Sequence, residues 1–258
     1  MAPRQLGQHW LFDKTVLQTI VELAHLDGRD TVLEVGPGPG ALTEQLAASA
    51  REVIAVELDP DLSERLQEQQ LSNVAVINHD ILHYDLRSLP TDYKVVANIP
   101  YSITSRLLRQ LWSGGNQPTL AVLLLQKEVA ERVCASAGNM SVLSFSVQFY
   151  AEVELHQTVA KNLFTPPPEV DSAIVRMRRR SHPYFAADEK LLFRLVKAGF
   201  SERRKKLVNA LSGGLHLPKP TVTTLLVESG IELDARAQQL SMDDWKRLYE
   251  VATAKLQT

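Results

Sequence analysis

Between Thr31 and Leu125, short apolar and β-branched runs alternate with longer amphipathic stretches, and nothing else in the chain restricts its fold so strongly. Thr31–Val35, Glu52–Val56, Val74–Ile77, Lys94–Ala97 and Leu120–Leu125 read as strands. Ala41–Ala50, Asp61–Gln69 and Thr104–Trp112 read as helices, the last with Leu107, Leu108, Leu111 and Trp112 at helical spacing. Strands separated by helices pair through crossovers, which predicts a mostly parallel sheet. Leu120–Leu125 is apolar throughout, as a strand covered on both faces should be.

After Val142–Phe149, which reads as helical, the pattern changes. Glu152–Val159 and Ala173–Met177 read as an antiparallel hairpin at one edge of the sheet, joined by a loop holding Pro166, Pro167 and Pro168. Beyond Pro183 the pattern is helical. Leu191, Leu192, Leu195 and Val196 form one apolar stripe, Leu207, Val208 and Leu211 another, and Ser241 with Asp244 forms a capping box before Trp245. The expected organisation is an α/β domain over residues 1–180, with an arm at 1–13, followed by a small all-helical domain over 181–258.

Composition narrows the function. With 45% hydrophobic and 22% charged residues among 258, the chain is neither disordered nor fibrous. Its longest apolar stretch, Leu120–Leu125, is far too short for a bilayer, and the first residues contain no apolar signal core. One cysteine, Cys134, forms no internal disulfide, and the seven histidines are scattered. The expectation is a cytoplasmic protein without a metal site.

Four motifs carry chemistry. Glu34-Val-Gly36-Pro-Gly38-Pro-Gly40 ends the first strand and opens into a helix, where glycines permit a sharp turn and close backbone approach to a nucleotide cofactor. Gly36, Gly38 and Ala41 also satisfy the dinucleotide pattern, so this loop alone does not choose the cofactor. Glu57 ends the second strand, where a carboxylate accepts from ribose hydroxyls. Asp80 follows the third, where it accepts from an adenine amine or merely caps a turn. Asn98-Ile99-Pro100-Tyr101 ends the fourth. An adenine amine is a poor nucleophile because its lone pair is delocalised. The Asn98 side-chain carbonyl and the Ile99 main-chain carbonyl would each take one amine hydrogen and aim the lone pair at a methyl donor. Pro100 stiffens that turn, and Tyr101 offers a ring for the base to stack on.

Together these residues resemble the class I S-adenosylmethionine-dependent methyltransferases that act on adenine amines. Within them the chain is similar to the ribosomal RNA adenine dimethyltransferases, in particular the small-subunit KsgA/RsmA family. The resemblance extends through Gln5–Leu11, Leu125–Glu128, Phe164-Thr-Pro-Pro-Pro-Glu-Val-Asp-Ser172 and Phe200–Lys206, nearly the whole chain. It implies a Rossmann-like catalytic domain and S-adenosylmethionine held by His9, Leu11, Gly36, Gly38, Glu57, Asp80 and Asn98. It also implies a target base handled by Asn98, Ile99, Pro100 and Tyr101, with Phe164 as the second face of an aromatic clamp or as a core residue. The family arm reads Gln-Asn-Phe-Leu where this chain has Gln8-His9-Trp10-Leu11, and Ile99 and Ser102 replace a common Leu and Asn. The implied substrate is a pair of adjacent adenosines in the 3′-terminal hairpin loop of 16S ribosomal RNA, each receiving two methyl groups during small-subunit biogenesis.

The charge distribution fits a nucleic-acid partner. Arg176 to Lys206 holds eleven Lys/Arg against three acids, an excess of eight in a chain whose net charge is −2. Arg176, Arg178, Arg179, Arg203, Arg204, Lys205 and Lys206 are the candidate phosphate contacts, the alternative being a solvated helix face. A monomer on the small ribosomal subunit, with no membrane contact, is expected. Three rivals remain: a large-subunit RNA methyltransferase conferring drug resistance, an RNA-binding assembly factor, and a nicotinamide-dependent dehydrogenase.

Overall fold

The computed structural model describes residues 8–202 and 204–256. Contacts divide the chain into two compact units, 1–131 with 151–179, and 132–150 with 180–258. The second unit therefore takes in an internal segment, 132–150, as well as the C-terminal helices.

In the first unit, β1 (Trp10–Leu11) and α1 (Lys14–Ala24) precede the alternating elements. The helix α1 lies outside the alternation that the sequence predicts. Its own chemistry explains it: Asp13 caps the Val16 N–H at 3.0 Å, and Val16, Leu17, Ile20 and Ala24 bury one face. There follow β2 (Thr31–Val35), α2 (Ala41–Ser49), β3 (Glu52–Glu57), α3 (Pro60–Glu68), β4 (Val74–Asn78), β5 (Lys94–Asn98), α4 (Thr104–Ser113), β6 (Leu120–Gln126) and α5 (Lys127–Val133). In α3, Pro60 takes the first turn, where its missing N–H is no loss, and Asp59 caps the Asp61 and Leu62 amides. After α6 (Val142–Tyr150) come β7 (Ala151–Val159), β8 (Phe164–Thr165) and β9 (Ser172–Arg179).

The main sheet runs β4-β3-β2-β5-β6-β9-β7. The first five strands are parallel, and β9 and β7 are antiparallel additions at one edge. This is the mostly parallel, helix-covered sheet that the alternation predicts, with the expected antiparallel edge strands in place. Strand order reverses between β2 and β5, so their C-terminal ends diverge and leave a crevice. All five residues of β2 are buried, as are Leu120–Leu125 of β6.

In the second unit, α6 joins α7 (Glu189–Phe200), α8 (Leu207–Leu215), α9 (Lys219–Glu228) and α10 (Met242–Leu256). Its core is aromatic: Phe145 meets Phe149, Phe193 and Trp245 with ring centroids 5.9–6.0 Å apart. Gly199 is required there, because a Cβ would lie 2.5 Å from the Trp245 ring. The Ser241–Asp244 capping box forms as expected, each residue accepting the other's main-chain N–H. Among the described residues no helix is long and apolar enough to cross a membrane, and no three His, Cys, Asp or Glu side chains converge as a metal site.

Candidate active site

Parallel strands present their C-terminal ends together, so residues distant in sequence meet on one edge. A cavity of about 250 Å³ lies over the ends of β2, β3 and β4, lined by Gly36, Glu57, Leu58, Asp80, Ile81, Leu82, Ile103 and Arg106 among others. A smaller one, of about 50 Å³, shares Gln8, Gly36, Glu57 and Pro100 with it and adds His9, Trp10, Gly38, Asn98, Ile99 and Tyr101. Of the cofactor candidates, only Leu11 lines neither. Its side chain is buried in the core and lines a cavity of about 30 Å³ behind the loop.

The glycine loop and Glu57 are built around each other. Glu57 Oε2 accepts the Gly38 N–H at 3.1 Å, and Oε1 accepts the Asp59 N–H at 2.9 Å. Gly38 sits at φ +57, and a Cβ there would approach the Trp10 indole to 3.1 Å. Asp80 both caps a turn and lines the large cavity: its Oδ1 accepts the Leu82 N–H at 2.9 Å and its Oδ2 meets His83 Nδ1 at 3.1 Å.

Behind the loop, the Glu34 side chain is buried (1% exposed) and its Oε2 has no hydrogen-bond partner. Burial pushes the carboxyl up to about 8; the Thr43 hydroxyl opposes that and the Glu57 charge adds to it. A glycine cradle and a carboxylate at the end of β3, both facing the two cavities, fit an adenosine cofactor.

At the end of β5, the Asn98 amide donates from Nδ2 to the His9 carbonyl at 3.0 Å. Among the described residues nothing donates to Asn98 Oδ1 or to the Ile99 carbonyl, so two acceptors stand beside the smaller cavity. The Tyr101 hydroxyl is 2.7 Å from Ser172 Oγ, and its ring lies 5.6 Å from the His9 ring, tilted by 31°. Burial raises the Tyr101 pKa, while the Ser172 hydrogen bond pulls the other way.

Phe164 is 2% exposed, pairs with Leu11 in the β1–β8 ribbon and packs in the core with Val16 and Leu17, which is the position the core reading describes. The basic run is partly answered within the fold. Strand register sets Glu152 opposite Arg178 and Glu154 opposite Arg176, giving ion pairs of 2.7 and 3.5 Å. Arg179 donates to the Gln117 and Thr91 carbonyls within the fold. Lys205 pairs with Glu202, Arg204 and Lys206 are exposed, and Arg203 lies outside the described residues.

Two contributors to the site lie in stretches that carry the resemblance but are not among the candidate site residues. Trp10 lies between His9 and Leu11, and Ser172 closes the Phe164–Ser172 segment, so the signal for each was adjacency to a candidate residue.

Residues 2–254 match the family described as ribosomal RNA adenine dimethylase. The chain belongs to that family. The match takes in the arm, the sheet and the helices of both units, so the chain is an adenine methyltransferase. It is 44% identical to the Ribosomal RNA small subunit methyltransferase A of Dehalococcoides mccartyi (strain CBDB1), over 96% of this chain and 87% of that one. A crystal structure of a dimethyladenosine transferase from Plasmodium falciparum superposes with a TM-score of 0.83 at 26% identity, covering 96% of this chain and 98% of the other. That of the 23S rRNA methyltransferase ErmE gives 0.76 at 30%, covering 94% and 98%.

Proposed function

We propose that the protein dimethylates the exocyclic amines of two adjacent adenosines in the 3′-terminal hairpin loop of 16S ribosomal RNA. In this reading it works as a cytoplasmic monomer on the assembling small subunit. The observation that carries the chemistry is the pair of free acceptors, Asn98 Oδ1 and the Ile99 carbonyl, beside a cavity that also reaches Gly36 and Glu57. The choice of RNA is supported by 44% identity to a relative named for the small subunit, against 30% to ErmE.

A loop adenosine leaves its stack and lies against Tyr101, whose hydroxyl is held by Ser172. Asn98 Oδ1 and the Ile99 carbonyl each accept one amine hydrogen, drawing the nitrogen toward tetrahedral geometry and exposing its lone pair. Gly36, Gly38, Glu57 and Asp80 hold the cofactor, which when bound supplies an electrophilic methyl group. The methylated amine is briefly cationic and passes its proton to water, so no strong base is required. Arg204, Lys205 and Lys206, with Arg203, are the segment assigned to the RNA backbone.

The test is a labelled methyl-transfer assay offering unmethylated small subunits and large-subunit RNA side by side, with digested nucleosides read by mass. Dimethyladenosine in the small-subunit RNA alone is expected. Label in large-subunit RNA would move the substrate to the other branch. No label in either RNA, with cofactor bound, would leave an assembly factor.

A further inference from the structure

The amide of Asn98 works only one way round. Its oxygen must face the amine, and rotation by half a turn would present Nδ2, a donor, to another donor. We propose that His9 is a positioning residue that fixes this orientation: its main-chain carbonyl holds Asn98 Nδ2, while its ring ties the arm to the proline loop. The inference rests on the role proposed above for Asn98 and adds to it what sets that role.

A carbonyl oxygen only accepts, so the 3.0 Å contact to His9 admits only the amide's NH2 end and leaves Oδ1 as the free acceptor. That carbonyl is itself located from two sides. His9 Nδ1 lies 2.8 Å from the Pro166 carbonyl, an acceptor-only group, so the proton resides on Nδ1. The next residue, Trp10, pairs with Thr165 in the β1–β8 ribbon. The His9 ring also packs on the Tyr101 ring, so one arm residue touches both groups that meet the target base. The arm thus contributes to the orientation of the acceptor as well as closing over the glycine loop through Trp10.

The chemistry names a diagnostic pair of variants. In an asparagine side chain, Nδ2 is bonded to Cγ as Nδ1 is in histidine, so His9→Asn keeps a donor in the same place, whereas His9→Ala removes it. In the protein without ligands, the Asn98 side-chain amide should give nuclear magnetic resonance signals shifted downfield and protected from exchange, identified by their disappearance in Asn98→Ala. His9→Ala should raise that exchange rate at least tenfold and lower kcat about tenfold, with the cofactor Kd changed less than threefold. His9→Asn should restore both the amide signals and kcat toward the native values. Unchanged amide signals in His9→Ala overturn the proposal. So does a rise in cofactor Kd that accounts for all the lost activity, which would make His9 a cofactor ligand. Absence of methyl transfer by the native chain overturns the functional reading instead, and the amide signals then decide the arm's hold on Asn98 alone.

Discussion

The proposed cofactor half of the site and the proposed base half are assembled by different means. The first is local in construction: a glycine loop leaves β2, Glu57 ends the adjacent strand β3, and two hydrogen bonds lock the carboxylate to the Gly38 and Asp59 amides. The second is held together across the chain. Asn98 is bonded to His9, Tyr101 to Ser172 and His9 to Pro166, at separations of 89, 71 and 157 residues. A site that holds its donor at the end of β3 and its acceptor at the end of β5 should lose the two functions separately, because Glu57 and Asn98 stand on different strands and share no hydrogen bond.

The largest effect should come from the base half. Asn98→Ala is expected to lower kcat about 100-fold or more while leaving the cofactor Kd within threefold, measured by single-turnover methylation and calorimetry. Equal losses in both would erase the distinction between the halves. Glu57→Gln should do the reverse, raising the cofactor Kd about tenfold by replacing a charged acceptor with a neutral one, with much of kcat recovered at saturating cofactor.

The buried carboxyl behind the loop sharpens the contrast through pH. A Glu34 carboxyl raised to about 8 in the folded protein holds a proton that the unfolded chain releases near the ordinary value of 4.5. The native state therefore binds more protons between those values, and stability falls as pH rises through that window. Glu34→Gln should remove this slope, with a melting temperature about 5 °C above the native protein's at pH 8 and little difference at pH 4.5. A native melting curve flat across the window would show that Glu34 is ionised in the fold.

The smallest effects concern charge. Removing Arg204 or Lys206 should flatten the plot of log affinity against log salt by about 0.7 in slope for each RNA phosphate left without its cation. Arg178→Ala, which removes a residue paired to Glu152, should leave that slope almost unchanged. An equal flattening by Arg178→Ala would return β9 to the RNA surface.

These contrasts explain what was legible in the sequence. The strands of the parallel sheet could be read because each is a short apolar run set off by helix-period stretches, and Gly36, Gly38, Glu57, Asp80 and Asn98 because each ends a strand. Phe164 was ambiguous since its neighbours Pro166 to Pro168 mark a loop, while the ribbon that buries it pairs segments more than 150 residues apart. The arginines of β9 read as free cations because Glu152 and Glu154 become their neighbours only once β7 and β9 pair.

The amino-acid pattern by itself determined the parallel sheet, the edge at which the candidate residues gather and the residue types proposed to meet an adenine amine. Hydrophobic period and strand-end position are local properties, and both survive in a single chain read in order. Tertiary structure alone decided which way the Asn98 amide faces, whether Phe164 is a surface or a core ring, and which cations are spent on carboxylates. Each of those outcomes depends on a partner supplied by a distant segment, and a hydrogen bond, a buried contact or an ion pair exists only when folding brings both members within a few ångströms.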